Sequence, residues 1–286
     1  MSARLPDLAV VTLAALDLRG RPDHRAELTS QLLMGEIVRP LRRSRDRRWW
    51  EVENRSDGFR GWARDWGLVG VSRVRASRWA RRARARVGVL FAEVRDGPGR
   101  GALVSPLFWN ARVIPGRRVG RRRQVELPDG RRGWILEAAL ARAGAGPGIA
   151  ARVRGLLGVP YLWGGRTPLG LDCSGFTQQV MAEQGVILAR NAGEQFREAF
   201  PLPRGEQPGL GDLVFFGTPG NPPGHVGLGL GGGYYAHCRG RVRINSMDPS
   251  NPLHDKELHP QTMGWRRPRR GPRKSPAARV RGGESA

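Results

Sequence analysis

The sequence predicts a chain of several domains, in which two small β-barrels precede an α+β domain. Short strand-like runs separated by turn residues fill the first 142 residues, a spacing typical of small barrels. An Asp-Gly turn followed by Gly-Trp occurs twice, at Asp57–Trp62 and Asp129–Trp134, which indicates two copies of one module. After residue 148 a helix-like segment precedes several strand-like runs, the order expected of an α+β domain.

The length and composition fit this organisation. The chain has 286 residues, of which 39% are hydrophobic and 26% charged, so it can bury two or three small cores and is neither collagen-like nor disordered throughout. The predicted boundaries place a first module at 1–70, a second at 71–142, the α+β domain at 148–265 and a basic, disordered tail at 266–286. The second module begins with an arginine-rich connector, 73–86, interpreted as a solvated segment or a basic surface strand.

The N-terminal modules are predicted from short β-type runs. The residues at 8–16 are apolar, and we interpret them as a first strand rather than an export signal because no small-x-small cleavage site follows. Two further strand candidates are Leu32–Val38 and Trp49–Glu53. The tryptophans of this region are expected to fill the barrel cores rather than to form a binding platform: Trp49, Trp50, Trp62 and Trp66.

The α+β domain is predicted from a change of pattern. Gly185 follows the helix-like residues 173–184 at the position where a glycine often ends a helix. A shorter helix is expected at Ile149–Leu157. The strand-like runs downstream are Asp212–Phe216, His225–Leu230, Tyr234–Cys238 and Val242–Asn245.

The formal net charge of +24 first suggests a nucleic-acid partner. The charge is uneven, because residues 146–265 hold ten basic and nine acidic residues and are close to neutral. The arginine run at 73–86 contains Trp79 as its one aromatic residue and matches no nucleic-acid-binding signature. We therefore predict no nucleic-acid partner, and the basic N-terminal half could instead contact anionic polymers.

Membrane, metal and cofactor signals are weak in this sequence. No apolar run reaches the length of a membrane span, so no transmembrane segment is predicted. Without export the protein is expected in the cytoplasm; a misplaced start codon or an N-terminus that acts as a signal would make it an exported protein. No metal-ligand spacing appears, and we predict no metal and no cofactor.

Cys173 is the candidate nucleophile. It lies at the predicted start of a helix, after Asp172, which is a good N-cap residue. Free backbone N–H groups and the helix dipole at such a position stabilise a thiolate. The N–H of Cys173 could also donate to an oxyanion. From position alone, a buried structural cysteine is an equal alternative.

A thiolate nucleophile needs a base, and His225 and His237 are the candidates. Alternation places Gly227 and Gly229 on the same face of the strand as His225, which would leave room for a helix or a substrate. On a neighbouring strand, His237 could orient the imidazole of His225 by a hydrogen bond. The remaining histidines lie in polar contexts and are predicted at the surface: His24, His254 and His259.

These residues together resemble the NlpC/P60 cysteine peptidases. The motifs stand in the family's order and cover about residues 148–248, and the N-terminal modules resemble the bacterial SH3 domains that precede such peptidases. The residues that carry the resemblance are Pro160–Gly165, Asp172–Phe176, Gly211–Leu213, His225–Gly227 and His237, together with Leu18–Pro22, Ala26–Gln31 and Gly35-Glu36 in the first module.

The resemblance implies a papain-like fold and a γ-D-glutamyl-L-diamino acid endopeptidase of the muropeptide-recycling type, acting on murein peptides. Cys173 would attack the bond, His225 would serve as base and acid, and His237 would orient His225. Tyr161 would support the oxyanion. The family also implies that a free N-terminal L-Ala is bound by the residues matching Asp172, Ser174 and Glu27.

Three departures from the family pattern affect selectivity more than the reaction class: Phe59 stands for a frequent Tyr, Ala189 for a frequent Pro, and Ala192 for a frequent Ser or Thr. Cys238, beside His237, is unusual; we interpret it as a packed small side chain, with a redox partner for Cys173 as the alternative. Two other functions stay open: a non-catalytic wall-binding SH3 protein, and a papain-like amidase or acyltransferase acting on another acyl bond.

Overall fold

The computed structural model of the chain describes residues 5–142 and 146–269. Most of the basic tail predicted at 266–286 lies outside the described residues. Among the residues that are described, there is no helix with the length and apolar character needed to span a bilayer.

The N-terminal module is a seven-stranded antiparallel sheet. Its strands are β1 (Leu8–Val11), β2 (Ala15–Arg19), β3 (Leu28–Leu33), β4 (Ile37–Arg43), β5 (Trp49–Asn54), β6 (Arg60–Arg64) and β7 (Leu68–Val71). They lie in the order β3-β2-β6-β5-β4-β1-β7. The apolar run at 8–16 therefore forms β1 and enters β2. Alternate side chains, among them Leu18, Val38 and Val52, form the buried core, as the period of a strand requires.

The tryptophans of this module divide between its two faces. Trp50 belongs to the core cluster, as predicted. Trp49 and Trp62 are also buried, but each lies under a guanidinium: Arg64 is 5.3 Å from the Trp49 ring and Arg42 is 5.1 Å from the Trp62 ring. Trp66 is 57% exposed, so it does not fill the core.

The arginine-rich connector forms a helix, α1 (Arg73–Arg82), where the sequence predicted a solvated segment or a strand. Ser72 caps it by accepting a hydrogen bond from the Arg75 N–H, and alanine and arginine are strong helix formers. Ala76 and Trp79, three residues apart on one face, are buried between the two modules. The indole Nε1 of Trp79 donates to the Gly35 carbonyl at 3.0 Å.

The next seven strands form a second antiparallel sheet: β8 (Ala85–Val87), β9 (Phe91–Arg95), β10 (Leu103–Phe108), β11 (Arg112–Val119), β12 (Arg122–Glu126), β13 (Arg132–Leu136) and β14 (Leu140–Arg142). Their order is β10-β9-β13-β12-β11-β8-β14. Counted from the first strand of each sheet, this order is the same as that of the N-terminal module. The repeated Asp-Gly…Gly-Trp segment leads into the sixth strand of each sheet, β6 and β13.

The C-terminal domain packs helices on a six-stranded sheet. Its helices are α2 (Ile149–Leu156), α3 (Cys173–Glu183) and α4 (Ala192–Glu198); its strands are β15 (Arg166–Thr167), β16 (Gly170–Leu171), β17 (Phe200–Pro201), β18 (Leu210–Phe216), β19 (His225–Gly231), β20 (Tyr234–Arg239), β21 (Arg241–Ser246) and β22 (Thr262–Arg267). The six strands of the sheet lie in the order β17-β22-β18-β19-β20-β21, and β15 and β16 pair with each other outside it. Phe176 and Val180 of α3 pack against Val226 and Leu228 of β19 in one core.

Candidate active site

Cys173 begins helix α3, and its thiol lies against the backbone around His225. The Asp172 carboxylate caps the helix by accepting the Gly175 N–H. The thiol donates to the Gly224 carbonyl oxygen at 4.0 Å, and the Val226 N–H acts on it to lower the pKa of Cys173. Because Gly224 and Val226 flank His225, the nucleophile and the base predicted from the sequence are neighbours.

A chain of hydrogen bonds orients the imidazole of His225. Its Nε2 lies 2.8 Å from the Nδ1 of His237, and the Nε2 of His237 lies 2.9 Å from the Oδ1 of Asn245. Strands β19, β20 and β21 are consecutive antiparallel neighbours, which brings the three side chains into one row. Sequence reasoning missed Asn245, which ends the strand-like run Val242–Asn245.

The hydrogen bonds assign the tautomers. The Asn245 Nδ2 donates to the Leu253 carbonyl at 2.7 Å, so the Asn245 Oδ1 is the atom that faces His237. The Nε2 of His237 has two neighbours, the Asn245 Oδ1 at 2.9 Å and the Nε–H of Arg243 at 3.2 Å. An amide oxygen accepts only, and it is the nearer of the two, so we assign the proton to the Nε2 of His237, and its Nδ1 then accepts from the Nε2–H of His225. The Nδ1 of His225 is then left with a lone pair, as a base requires.

The site rests with a neutral thiol and neutral imidazoles. Burial raises the pKa of Cys173 to about 11, and the negative charge of Asp172 acts in the same direction. Burial, the charge that His237 would carry when protonated, and the positive charges of Arg239 and Arg243 lower the pKa of His225 to about 3. Burial lowers the pKa of His237 to about 4. Proton transfer from sulfur to imidazole therefore belongs to the reaction rather than to the resting state.

Tyr161 is half-buried and packs against the core that contains Cys173. Burial, followed by the charges of Cys173 and Asp172, raises the pKa of its phenol, so the hydroxyl keeps its proton and can donate a hydrogen bond. The N–H of Cys173 has no hydrogen-bond acceptor in the part of the chain that the structure describes. Both groups are donors that an oxyanion could use.

Asp172 is held by a buried arginine. Arg190, which is 1% exposed, donates to the Asp172 carboxylate at 2.5 and 3.0 Å and to the Ser174 hydroxyl at 3.0 Å. Its Nε donates to the Ser30 hydroxyl of the first module at 2.8 Å. Asp172 also accepts from Ser174 and from the N–H groups of Gly164 and Gly175. These donors occupy both carboxylate oxygens.

Glu27 and the loop after Tyr161 join the first module to the site. The Trp163 Nε1 donates to the Glu27 carboxylate at 2.6 Å, and both side chains are exposed. Gly164 has φ +75°, and a Cβ there would lie 2.4 Å from the Leu28 carbonyl oxygen, so only glycine fits this contact. Because the Gly164 N–H also binds Asp172, this loop links Glu27 to the residue before the nucleophile.

The glycines beside His225 serve a different purpose from the one expected. A Cβ on Gly227 would lie 2.9 Å from the Tyr235 ring, and one on Gly229 would lie 2.7 Å from the Gly209 carbonyl and 2.9 Å from the Trp265 ring. They accommodate neighbouring strands and rings rather than a helix or a substrate. Helix α3 instead packs on the opposite face of β19, against Val226 and Leu228.

The remaining candidates lie apart from the row of hydrogen bonds. His24 is exposed and its ring lies 4.8 Å from the Trp49 ring. His254 and His259 are half-buried, with ring centroids 4.7 Å apart. Cys238 is fully buried and its thiol donates to the Leu171 carbonyl at 3.1 Å, the environment of a packed side chain. Both cysteines are free thiols.

Comparison with protein families identifies two regions. Residues 158–262 match the NlpC/P60 family, and residues 18–66 match the bacterial dipeptidyl-peptidase SH3 domain. The first region contains the candidate nucleophile, both histidines and Asn245. The second contains Glu27 and Ser30.

Similar proteins extend this result. The chain is 26% identical over 276 residues to dipeptidyl-peptidase 6 of Lysinibacillus sphaericus, covering 87% of this chain and 95% of the relative. It is 35% identical over 105 residues to the gamma-D-glutamyl-L-lysine dipeptidyl-peptidase of Bacillus subtilis, spanning 36% of this chain and about a third (35%) of that relative. An NlpC/P60 family protein from Bacillus cereus has the same fold, with a TM-score of 0.76, 20% identity and coverage of 91% of this chain and 99% of that one.

Proposed function

We propose that this chain, which carries an NlpC/P60 cysteine peptidase domain behind a bacterial dipeptidyl-peptidase SH3 domain, cleaves the bond between γ-D-Glu and the diamino acid of murein peptides. The reaction would serve cell-wall recycling or turnover. The observation that carries the proposal is the thiol of Cys173 4.0 Å from the carbonyl oxygen of Gly224, the residue before His225, whose Nε2 is hydrogen-bonded to His237 in a row that ends at Asn245. The names of the two relatives, both dipeptidyl-peptidases, support the choice of bond.

The geometry supports a two-step acyl transfer. The Nδ1 of His225 takes the thiol proton as the sulfur attacks the amide carbon, and the oxyanion is held by the Cys173 N–H and the Tyr161 hydroxyl. His225 then gives its proton to the leaving amine of the diamino acid, which leaves a thioester on Cys173. Water, deprotonated by the same imidazole, hydrolyses the thioester and restores the thiol.

Glu27 is the carboxylate best suited to receive the free ammonium of an N-terminal L-Ala. Asp172 is already engaged by Arg190 and by backbone donors, so with Ser174 it would shape the subsite rather than supply its main charge. Glu27 is exposed and accepts from Trp163 alone among the described contacts. A charge-assisted hydrogen bond from an ammonium is among the stronger polar contacts.

The two sheets support a further part of the proposal. Since the second sheet has the strand order of the first, the second module would also be an SH3 domain. Arginines on the outer faces, such as Arg42 and Arg64 over tryptophan rings, could contact anionic wall polymers. A substrate made of small soluble murein peptides is compatible with a cytoplasmic enzyme, the compartment that we propose.

Mass spectrometry of defined muropeptides tests this function. The reduced protein is incubated with a tripeptide L-Ala-γ-D-Glu-diamino acid, with either a free or an acetylated N-terminus. We expect release of L-Ala-γ-D-Glu from the free peptide and much slower cleavage of the acetylated one. Equal cleavage of both would contradict recognition of the amino end. Cleavage at another acyl bond would indicate an amidase or acyltransferase, and no cleavage would favour a wall-binding protein.

A further inference from the structure

A cavity lies away from the catalytic residues, where the first module, helix α1, the second module and the catalytic domain meet. Its volume is about 290 Å³, the share of roughly ten water molecules in the liquid. Side chains from all four parts of the chain line it, among them Glu36, Trp79, Arg112 and Gln178. None of Cys173, His225 and His237 is in the lining.

Two arginines stand side by side in this cavity. Arg86 on β8 and Arg112 on β11 are directly opposite partners across antiparallel strands, an arrangement in which like charges repel. Burial lowers the pKa of Arg86 to about 10, and Arg112 is the next largest cause. Arg86 donates to the Ala182 carbonyl at 2.8 Å. In residues 5–142 and 146–269, neither guanidinium has a carboxylate within salt-bridge distance.

Two carboxylates near these arginines form ion pairs with other arginines. Glu36 is paired with Arg166 at 2.9 Å, and Glu183 is paired with Arg152 at 2.6 Å. The lining contains four arginines, Arg55, Arg86, Arg112 and Arg166, and two acids, Glu36 and Asp57. Basic residues therefore outnumber acidic ones around the cavity.

Gln178 adds a polar group of the opposite kind. Its Nε2 donates to the Asp57 carboxyl at 2.9 Å and to the Leu188 carbonyl at 3.1 Å, which fixes the orientation of the amide. Its Oε1 is buried and has no hydrogen-bond partner among the residues that the structure describes. A buried acceptor without a donor costs free energy, so a ligand with a hydroxyl group would relieve it.

We propose that this cavity binds an oxyanion that also carries a hydroxyl group, namely hydrogen phosphate, either free or as the phosphate monoester of a small polyol. Arg86 and Arg112 would donate to the phosphate oxygens, since guanidinium groups match the geometry of phosphate. The Oε1 of Gln178 would accept from the hydroxyl. The occupant would contact both modules and the catalytic domain, and this site is independent of the proposed peptidase function.

Isothermal titration calorimetry and thermal unfolding of the full chain test the proposal. Inorganic phosphate, glycerol 3-phosphate and sulfate are added at constant ionic strength, the last because it has charge but no hydroxyl at neutral pH. We expect saturable binding of one phosphate or one glycerol phosphate per chain, a higher Tm, and at least tenfold weaker binding of sulfate. The tighter of the two phosphates identifies the source of the ligand.

Variants separate this site from the many exposed arginines. Arg112→Gln should weaken phosphate binding at least tenfold, whereas Arg121→Gln, an exposed arginine on the same module, should leave it unchanged. Ala80→Glu, on the exposed side of α1 at the cavity, should weaken binding by pairing with the arginines, and it serves if Arg112→Gln fails to fold. The proposal is overturned if the wild type shows no saturable binding, or if the cavity variants bind as the wild type does.

Discussion

The Nε2 of His225 lies 2.8 Å from the Nδ1 of His237, and this contact leaves the Nδ1 of His225 as the nitrogen that can act as a base. Asn245 completes the arrangement. Its Nδ2 donates to the Leu253 carbonyl, and its Oδ1 therefore faces His237 and accepts a hydrogen bond from the Nε2–H of that residue. The tautomer of His225 on β19 thus depends on Asn245, which lies two strands away on β21.

Replacement of Asn245 should reduce turnover more than substrate binding. Asn245→Ala removes the acceptor for the Nε2–H of His237, so the imidazoles can adopt the wrong tautomers; we expect kcat to fall about tenfold to a hundredfold with a similar KM. Asn245→Asp keeps an acceptor and should retain more activity. Gln207→Ala, which removes an exposed amide outside this row of side chains, is the control. A change confined to KM would argue against a positioning role.

Cys173→Ala should abolish peptide hydrolysis and leave the fold intact, because the side chain is small and its loss removes the nucleophile alone. We expect a fall in kcat/KM of at least ~10³-fold, measured with circular dichroism as the check on folding. Cys238→Ala is the matched control, since that thiol bonds only a backbone carbonyl. Activity of Cys173→Ala near that of the wild type would overturn the assignment.

Acid should destabilise the protein through its buried histidines. The folded pKa values of His225 and His237 are about 3 and 4, whereas an unfolded histidine has a pKa of about 6.5. Below about pH 6.5 the unfolded chain therefore binds protons that the folded chain does not, and the free energy of unfolding falls as the pH decreases toward 4.

Urea unfolding between pH 7 and pH 4.5 measures this effect. The midpoint should decrease for the wild type and decrease less for His225→Gln, which has no titratable group at that position. His24→Gln, at an exposed position, should behave as the wild type. The explanation is wrong if His225→Gln has the full pH dependence.

Glu27→Gln should weaken the recognition of a free amino end. The Gln oxygen can still accept from Trp163, so the substitution removes the charge and little else. For the free tripeptide we expect kcat/KM to fall about tenfold to a hundredfold, the range for one charge-assisted hydrogen bond, with no change for the acetylated peptide. Asp23→Asn, a nearby exposed acid, is the control. An equal loss for both peptides would show that Glu27 does not read the amine.

Arg190→Met should destabilise the whole chain. The substitution leaves the buried Asp172 carboxylate without its guanidinium and removes the contact to Ser30; breaking a buried pair in this way costs about 3–5 kcal/mol. Arg197→Met, on the exposed side of α4, should change stability little. Equilibrium urea unfolding compares the two. Equal stability of both variants would contradict a structural role for the Arg190 pair.

Much of the site could be predicted because it is local in sequence. Asp172 before Cys173 signals a helix start, and the alternation in His225–Leu230 signals a strand, so each catalytic side chain had a recognisable neighbourhood. Asn245 was missed because a single asparagine at the end of a strand has no local signature. Its function depends on the pairing of β20 with β21 and on the Leu253 carbonyl.

The connector and the arginine contacts show where local reasoning fails. The pattern at 73–86 was interpreted by its charge, whereas the helix is stabilised by Ser72 at its cap and by Ala76 and Trp79 between two modules. The sequence does not predict the contacts of Arg190 either. Arg190 bridges Asp172 to Ser30, which is 160 positions away in sequence. This contact depends on how the two domains pack together, and no periodic pattern in the sequence predicts it.

The buried contacts of Ser30 and Gln31 with Arg190 and Arg166 have a mechanical consequence. Strand β3 carries Ser30 and Gln31 and begins directly after Glu27. Arg190 also binds Asp172, the residue before Cys173, so Glu27 and the nucleophile are both attached to this junction. Separating them would break the contacts of Arg190 with Ser30 and of Arg166 with Gln31, and also the ion pair between Arg166 and Glu36. The distance between Glu27 and Cys173 is therefore fixed when the chain folds. Under the proposed function, that distance would determine how far from its amino end a peptide is cleaved.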